Sequence, residues 1–360
     1  MGSSALSLEK IIKRIEPLDT RWIDQAKQRT AQLVMPTRAL GRLHEISEKL
    51  CAIQKTLEPS IHRKVFLVMV GDHGVVTEGV SAYPQGVTAE MIKTFLSGGA
   101  AINVLAGQVD GQIIVVDMGI ISDLDLNALP GSDRLIIRKI ANGTANLARG
   151  PAMSITEARR AILTGFQLAG DLFKQGAQIL GTGDMGIGNT TPSAAIGTVL
   201  TGSSLDDMVG RGTGVDDQGL QRKRDAIQSG IRLNQPEPED GLDVLAKIGG
   251  FEIGGIAGCI LAGAYHKHPV VIDGYISTAG ALIAHALCPA VTDYLFAGHR
   301  SEEPGHKLML HYLGLQPILD LGMRLGEGTG AALAMSIMDG AVGIFKDMLT
   351  FEEAGVSDKD

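Results

Sequence analysis

A mainly parallel α/β sheet with helices on both faces, Rossmann-like, joined to a small helical domain, is the fold class that this sequence predicts, and three observations predict it. Short β-branched runs recur from residue 65 onward: "VFLVMV" at 65–70, "IIVVD" at 113–117, "RLIIRKI" at 134–140, "AQILG" at 177–181, "PVVID" at 269–273 and, more weakly, "YLFAG" at 294–298. Helical stretches separate them, and strands that are apolar along their whole length are those buried on both faces of a parallel sheet. The first sixty residues differ in texture, being charged and periodic at helical spacing.

Taken in order, "LSLEKIIKRIE", "TRWIDQAKQRTAQLV" and "ALGRLHEISEKLCAIQ" each place apolar residues on one helical face. They predict a small helical domain over residues 1–60, completed by part of a C-terminal helix within 329–360, beside a large α/β domain over 61–328. Ligands of such a sheet sit beyond the carboxyl ends of the strands. Four loops there are glycine-rich and polar, "GDHGVVTEGVSAYPQ", "GTGDMGIGNTT", "DGYIST" and "AGHRSEE", while "NQPEPEDG" at 234–241 is a turn-rich connector.

Composition narrows the function. A chain of 360 residues with 44% hydrophobic content can bury a large core, and a net charge of −8 argues against nucleic acid, whose phosphates need clustered Lys and Arg. Cys51, Cys259 and Cys288 are scattered, odd in number and without CxxC spacing, so they are expected as buried small hydrophobes of a cytoplasmic protein. "MGSSALSLEK" has no apolar run of a secretory leader. The apolar stretch 253–265 is too short for a membrane span and 329–345 carries Asp339, so both are expected as core or interface helices.

The segment Gly181 to Thr191 matches GxGxxG and almost matches a P-loop, but Asn189 stands where the phosphate-binding lysine is needed. Glycines and a helix start suit a single phosphate monoester. Asp206 and Asp207 follow at about the spacing of a dinucleotide-binding fold, which keeps an NAD-binding oxidoreductase as a minor alternative. Within "GRGTGVDDQGLQRKRDAI", Arg222 and Arg224 read as a solvated helix face and Lys223 as a phosphate partner. His299, His306 and His311 fit no metal spacing, and His73 in "GDHG" is expected in an orienting or structural role. Last, "LGMRLGEGTGAALAMSIMDGA" sets one carboxylate, Glu327, between two glycines just before an apolar helix.

Together "GDHGVVTEGVSAYPQGVTAEM", "GGAAINVLA", "DMGI", "GPAMS", "GTGDMGIGNTTPSAA", "NQPEPEDGLDVLAKIGGFEIGGIAG", "DGYISTAGALIA" and "RLGEGTGAALAM" resemble the nicotinate-nucleotide:dimethylbenzimidazole phosphoribosyltransferases, from about residue 39 to near residue 345. The resemblance implies a cytoplasmic homodimer that moves 5-phosphoribose from nicotinate mononucleotide to a benzimidazole-type base, giving α-ribazole 5'-phosphate and nicotinate in cobamide biosynthesis; adenine or a phenolic base is the alternative acceptor. It implies no cofactor and no metal, because the pyridinium of the donor is already an activated leaving group. It makes Glu327 the base that takes the acceptor's proton, with Gly326 beside it. Asp184 stands where the family commonly has Glu, one methylene longer, near the ribose. Gly186, Gly212, Lys223, Asp273, Gly274 and Ser301 match positions that hold the phosphoribosyl group, and Tyr83 lies in the loop that lines the base pocket.

Overall fold

The computed structural model describes residues 7–125 and 131–357. Seven strands, β1 (Lys64–Gly71), β2 (Gln112–Gly119), β3 (Leu135–Ile137), β4 (Ile179–Met185), β5 (Val270–Ile272), β6 (Leu295–His299) and β7 (Pro317–Leu319), form one sheet in the order β3-β2-β1-β4-β5-β6-β7. Every pairing is parallel. All eight residues of β1 are buried, which is why its sequence reads as an apolar run from Val65 onward.

The chain opens with α1 (Leu8–Ile12), α2 (Thr20–Gln32) and α3 (Arg42–Gln54). Between β1 and β2 come α4 (Val87–Ser97) and α5 (Ala101–Gly107), and α6 (Ile155–Lys174) leads into β4. Five helices separate β4 from β5: α7 (Thr190–Thr201), α8 (Leu205–Met208), α9 (Asp217–Asn234), α10 (Gly241–Ile248) and α11 (Phe251–His266). The rest are α12 (Tyr275–Leu287), α13 (His306–Tyr312), α14 (Thr329–Asp347) and α15 (Phe351–Ala354).

Phe66 and Met69 of β1 are an odd number of residues apart and so point to opposite faces. Met69 meets Gly255 of α11, whereas Phe66 and Met335 of α14 crowd Gly181, so α11 and α14 cover opposite sides of the sheet. The glycine-rich stretch 253–265 is α11, a core helix pressed onto α6: a side chain at Gly258 would collide with the Ile162 carbonyl. No helix among the described residues is long and apolar enough to cross a membrane. The three cysteines are buried and unpaired.

The strand order reverses at β1, which has β2 on one side and β4 on the other. A crevice therefore opens where the loops after β1 and β4 diverge, the place where doubly wound sheets take their ligands. Four details depart from the sequence expectation. β7 was not foreseen, since it is three half-buried residues that open with a proline at the sheet edge. β3 is shorter than 134–140. The first helical segment contracts to Leu8–Ile12, with Leu6 outside the described residues, as are 358–360. Finally, β4 runs on to Met185, so Gly181 and Gly183 belong to a strand rather than a phosphate loop.

Candidate active site

A cavity of about 320 Å³ lies at the carboxyl ends of the central strands. Tyr83, Asp184, Gly186, Gly212, Gly274, Ser301 and Gly326 line it, and Lys223, Asp273 and Glu327 are buried without forming its wall. A larger groove of about 480 Å³ runs between the 143–157 segment and α10. Its charged groups are spent on structure: Lys247 pairs with Asp243 at 2.9 Å, and Glu157 closes the capping box of α6. The smaller cavity is the one where polar groups converge.

One end of it gathers charged and polar groups around Gly212. Lys223 on α9 is buried, and its Nζ donates to Thr190 Oγ1 at 2.9 Å and to the Gly210 carbonyl at 3.2 Å. Burial brings its pKa down to about 8, against the pull of the Glu303 carboxylate. Gly212 has φ +54°, and a side chain there would press on Thr190 Oγ1 and Lys223 Nζ. Ser301 is fixed from behind: its N–H donates to His306 Nδ1 at 2.8 Å, and His306 Nε2 meets Thr278 Oγ1 at 2.8 Å. Burial, with His299 nearby, holds His306 down at about 3, so it stays neutral and accepts that bond. Gly274 admits the His299 ring, and Gly186 must lack a side chain because one would strike the Gly71 carbonyl. Arg222 and Arg224 take other partners, the Gly79 carbonyl and exposed Asp206.

The other end is a cluster of carboxyl groups around the turn that precedes α14. Gly326, Glu327 and Gly328 have φ +90°, +64° and +100°. The left-handed region is natural for the glycines, and for Glu327 it costs on the order of 1–3 kcal/mol, so the surroundings must enforce it. Asp273, fully buried at the end of β5, does so. Its Oδ2 accepts from Gly328 N at 3.0 Å and its Oδ1 from Gly330 N at 2.6 Å and Ala331 N at 3.2 Å. Expected from sequence on the phosphoribosyl group, Asp273 has both oxygens occupied by the start of α14, and it shapes the site through that turn. β4 presses from below, since a side chain at Gly183 would collide with the Glu327 carbonyl.

Glu327 is 6% exposed. Its Oε2 accepts from Ile102 N at 3.3 Å, so the helix start it meets is that of α5, not α14. Burial raises its pKa, the Ile102 amide lowers it and Asp273 raises it again; burial wins. Asp184 lies between the two ends and accepts from Asn189 Nδ2 at 3.0 Å. Burial, then Asp273 and Glu252, with Glu327 a further contributor, hold its carboxyl well above the usual range. His73 and Glu252 form a buried pair at 2.8 Å beneath Gly186, the structural role expected of that histidine.

The dinucleotide alternative fails on geometry. Two of its three glycines lie inside β4, packed against Phe66 and the Glu327 turn, and Asp206 pairs with Arg224 on an exposed helix. Among the described residues no cluster of His, Cys, Asp or Glu is arranged to hold a metal ion.

Comparison with known proteins places this geometry. A phosphoribosyltransferase family profile matches residues 15–356. The chain belongs to that phosphoribosyltransferase family. It is 50% identical over 353 residues to the nicotinate-nucleotide–dimethylbenzimidazole phosphoribosyltransferase of Geobacter sulfurreducens, covering 98% of this chain and 99% of that one. With the enzyme of the same name from Roseiflexus sp. it shares 51% over 352 residues, 98% of each chain. The crystal structure of the enzyme from Thermus thermophilus superposes with a TM-score of 0.88 at 46% identity, covering 95% of this chain and all of that one.

Two polar groups of this candidate site had no individual place in the sequence reading. Glu303 accepts from Gly212 N at 2.9 Å, and Arg324 donates to the Gly212 carbonyl at 3.2 Å. Glu303 is the second of two adjacent glutamates, which reads as a solvated surface, and only its neighbour Ser301 carried a signal.

Proposed function

We propose that the chain transfers 5-phosphoribose from nicotinate mononucleotide to a benzimidazole-type base, releasing nicotinate and forming α-ribazole 5'-phosphate. The observation that carries the reading is the pairing of an anion pocket with a strained, buried carboxylate: Lys223, Gly212 and Ser301 at one end, Glu327 beyond Asp184 and Gly326 at the other. Each end matches one demand of the chemistry.

In the donor the pyridine nitrogen carries a formal positive charge, so the C–N electron pair leaves with nicotinate and needs no acid. The acceptor's free ring nitrogen donates its lone pair to the anomeric carbon. Positive charge then builds on the benzimidazole until its other nitrogen gives up its proton, and Glu327 takes it. Burial makes Glu327 a stronger base than an exposed glutamate. In-line attack opposite nicotinate inverts the anomeric carbon. Asp184, its carboxyl favouring the protonated form, suits donation of a hydrogen bond to the ribose better than charge stabilisation. Lys223 grips the 5'-phosphate.

Lys223→Met is expected to raise KM for nicotinate mononucleotide about 10–100-fold, the value of one charge-assisted hydrogen bond. In the wild type the same affinity should weaken as pH rises through about 8, where Lys223 loses its charge; steady-state kinetics across that range checks both. Tyr83 is 54% exposed at the cavity mouth, where its ring can stack on an acceptor. Tyr83→Ser should shift KM for the acceptor by roughly 2–10-fold and leave that for the nucleotide alone.

The test of the function is chromatography of nicotinate release with dimethylbenzimidazole, adenine, p-cresol or no acceptor. Release that requires an acceptor supports the reading, and the best acceptor names the base. Nucleotide that binds and is never consumed removes it. We infer also a cytoplasmic homodimer, and a helical domain from residues 1–60 with part of 329–360 beside the α/β domain 61–328. Support for the second is the separate apolar cluster of Ala26, Cys51 and Phe345, which joins α2, α3 and α14.

A further inference from the structure

Glu303 has no part in the chemistry above, yet it is a buried carboxylate on the wall of the pocket assigned to the phosphate. Its Oε1 accepts from the Gly212 amide at 2.9 Å. Its Oε2, pressed against Gly210, has no hydrogen-bond donor among the described residues. Gly210 must lack a side chain, because one would strike that carboxyl oxygen. A phosphate dianion bound beside Lys223 and Ser301 would therefore meet a like charge largely out of water, where repulsion is much stronger than in bulk solvent.

We propose that Glu303 takes up a proton when a 5'-phosphate binds, so that the enzyme recognises the monoester together with one hydrogen ion. The inference rests on the phosphoribosyl reading of this cavity. Protonation removes the charge from the oxygen that no donor stabilises, and the lysine is left to neutralise the phosphate. The groups facing Glu303 come from four elements. Lys223 of α9 and Arg324 after β7 favour its anion; Tyr275 of α12 is neutral; His306 of α13 is neutral and already bonded to Ser301. Burial already tips Glu303 toward the acid, with Lys223 the main opposing charge, and an incoming dianion cancels that opposition.

Calorimetric titration in two buffers of different ionisation enthalpy counts the protons. At pH 7 a phosphate monoester with pKa about 6 is about nine-tenths dianion, so binding as the dianion releases about a tenth of a proton. Lys223, at about 8, takes up about a tenth. The expected result is that wild-type protein takes up more than about half a proton per nicotinate mononucleotide beyond what it takes up with nicotinate riboside, which lacks the phosphate. Glu303→Gln should abolish that difference. Equal uptake for the two ligands, or a Gln variant that keeps the wild-type uptake, overturns the inference. If the variant does not fold, the phosphorus-31 shift of the bound nucleotide decides on the unaltered protein: a dianion shift leaves the proton on Glu303, and a monoanion shift overturns the inference. If neither ligand binds, the phosphoribosyl reading fails, and this inference with it.

Discussion

Glu327→Gln is expected to lower kcat for nicotinate release by about 10²–10⁴-fold, the range over which a positioned base contributes, with little change in KM for the nucleotide. Gln keeps the size of the side chain and the oxygen that accepts from Ile102, so the turn should survive while the proton acceptor is lost. The pH profile supplies an independent check. Only ionised Glu327 can act, so wild-type kcat/KM should fall as pH drops through a pKa above the usual glutamate range, about tenfold per unit. The Gln variant should lack that acid limb. A variant that stays fully active, or keeps the limb, would show that some other group takes the proton.

Asp273→Asn is expected to be as damaging by a different route. One carboxylate accepts three amides at the start of α14, and a carboxamide turns one of those oxygens into a donor facing an N–H. Leaving buried amides unpaired costs on the order of 1–3 kcal/mol for each group lost. The Glu327 turn would then rest on the Ile102 amide and on the two bonds from Thr329 to the Gly326 carbonyl. The urea midpoint should therefore drop, and kcat should fall even in protein that remains folded. A variant with wild-type stability and activity would mean that Asp273 does not latch the turn.

The strands were legible because burial on both faces writes an apolar run into β1 and the middle of β2, while β4 showed only its apolar start, Ile179 and Leu180. β7 was not, because three residues at an edge carry no such pattern. The glycine segment was read one element too early: Gly181 and Gly183 are small because Phe66 and the Glu327 turn press on them, and a tight packing contact looks like a ligand loop in one dimension. Lys223 sits in a charged run whose spacing resembles a solvated face, and its burial arises from contact with Thr190 and Gly210, distant in sequence. The use of Asp273 is equally long-range, its partners lying some 55–58 positions further along the chain. Glu327 drew attention in the sequence as a carboxylate between two glycines before an apolar helix, and the structure buries it in a left-handed turn.

The most direct measurement is proton NMR of the reaction of nicotinate mononucleotide with dimethylbenzimidazole, following nicotinate and the anomeric proton of the product together. In-line transfer predicts one nicotinate per ribazole phosphate, all of it α-linked. A β-linked product, or nicotinate released with free ribose phosphate and no ribazole, would contradict it.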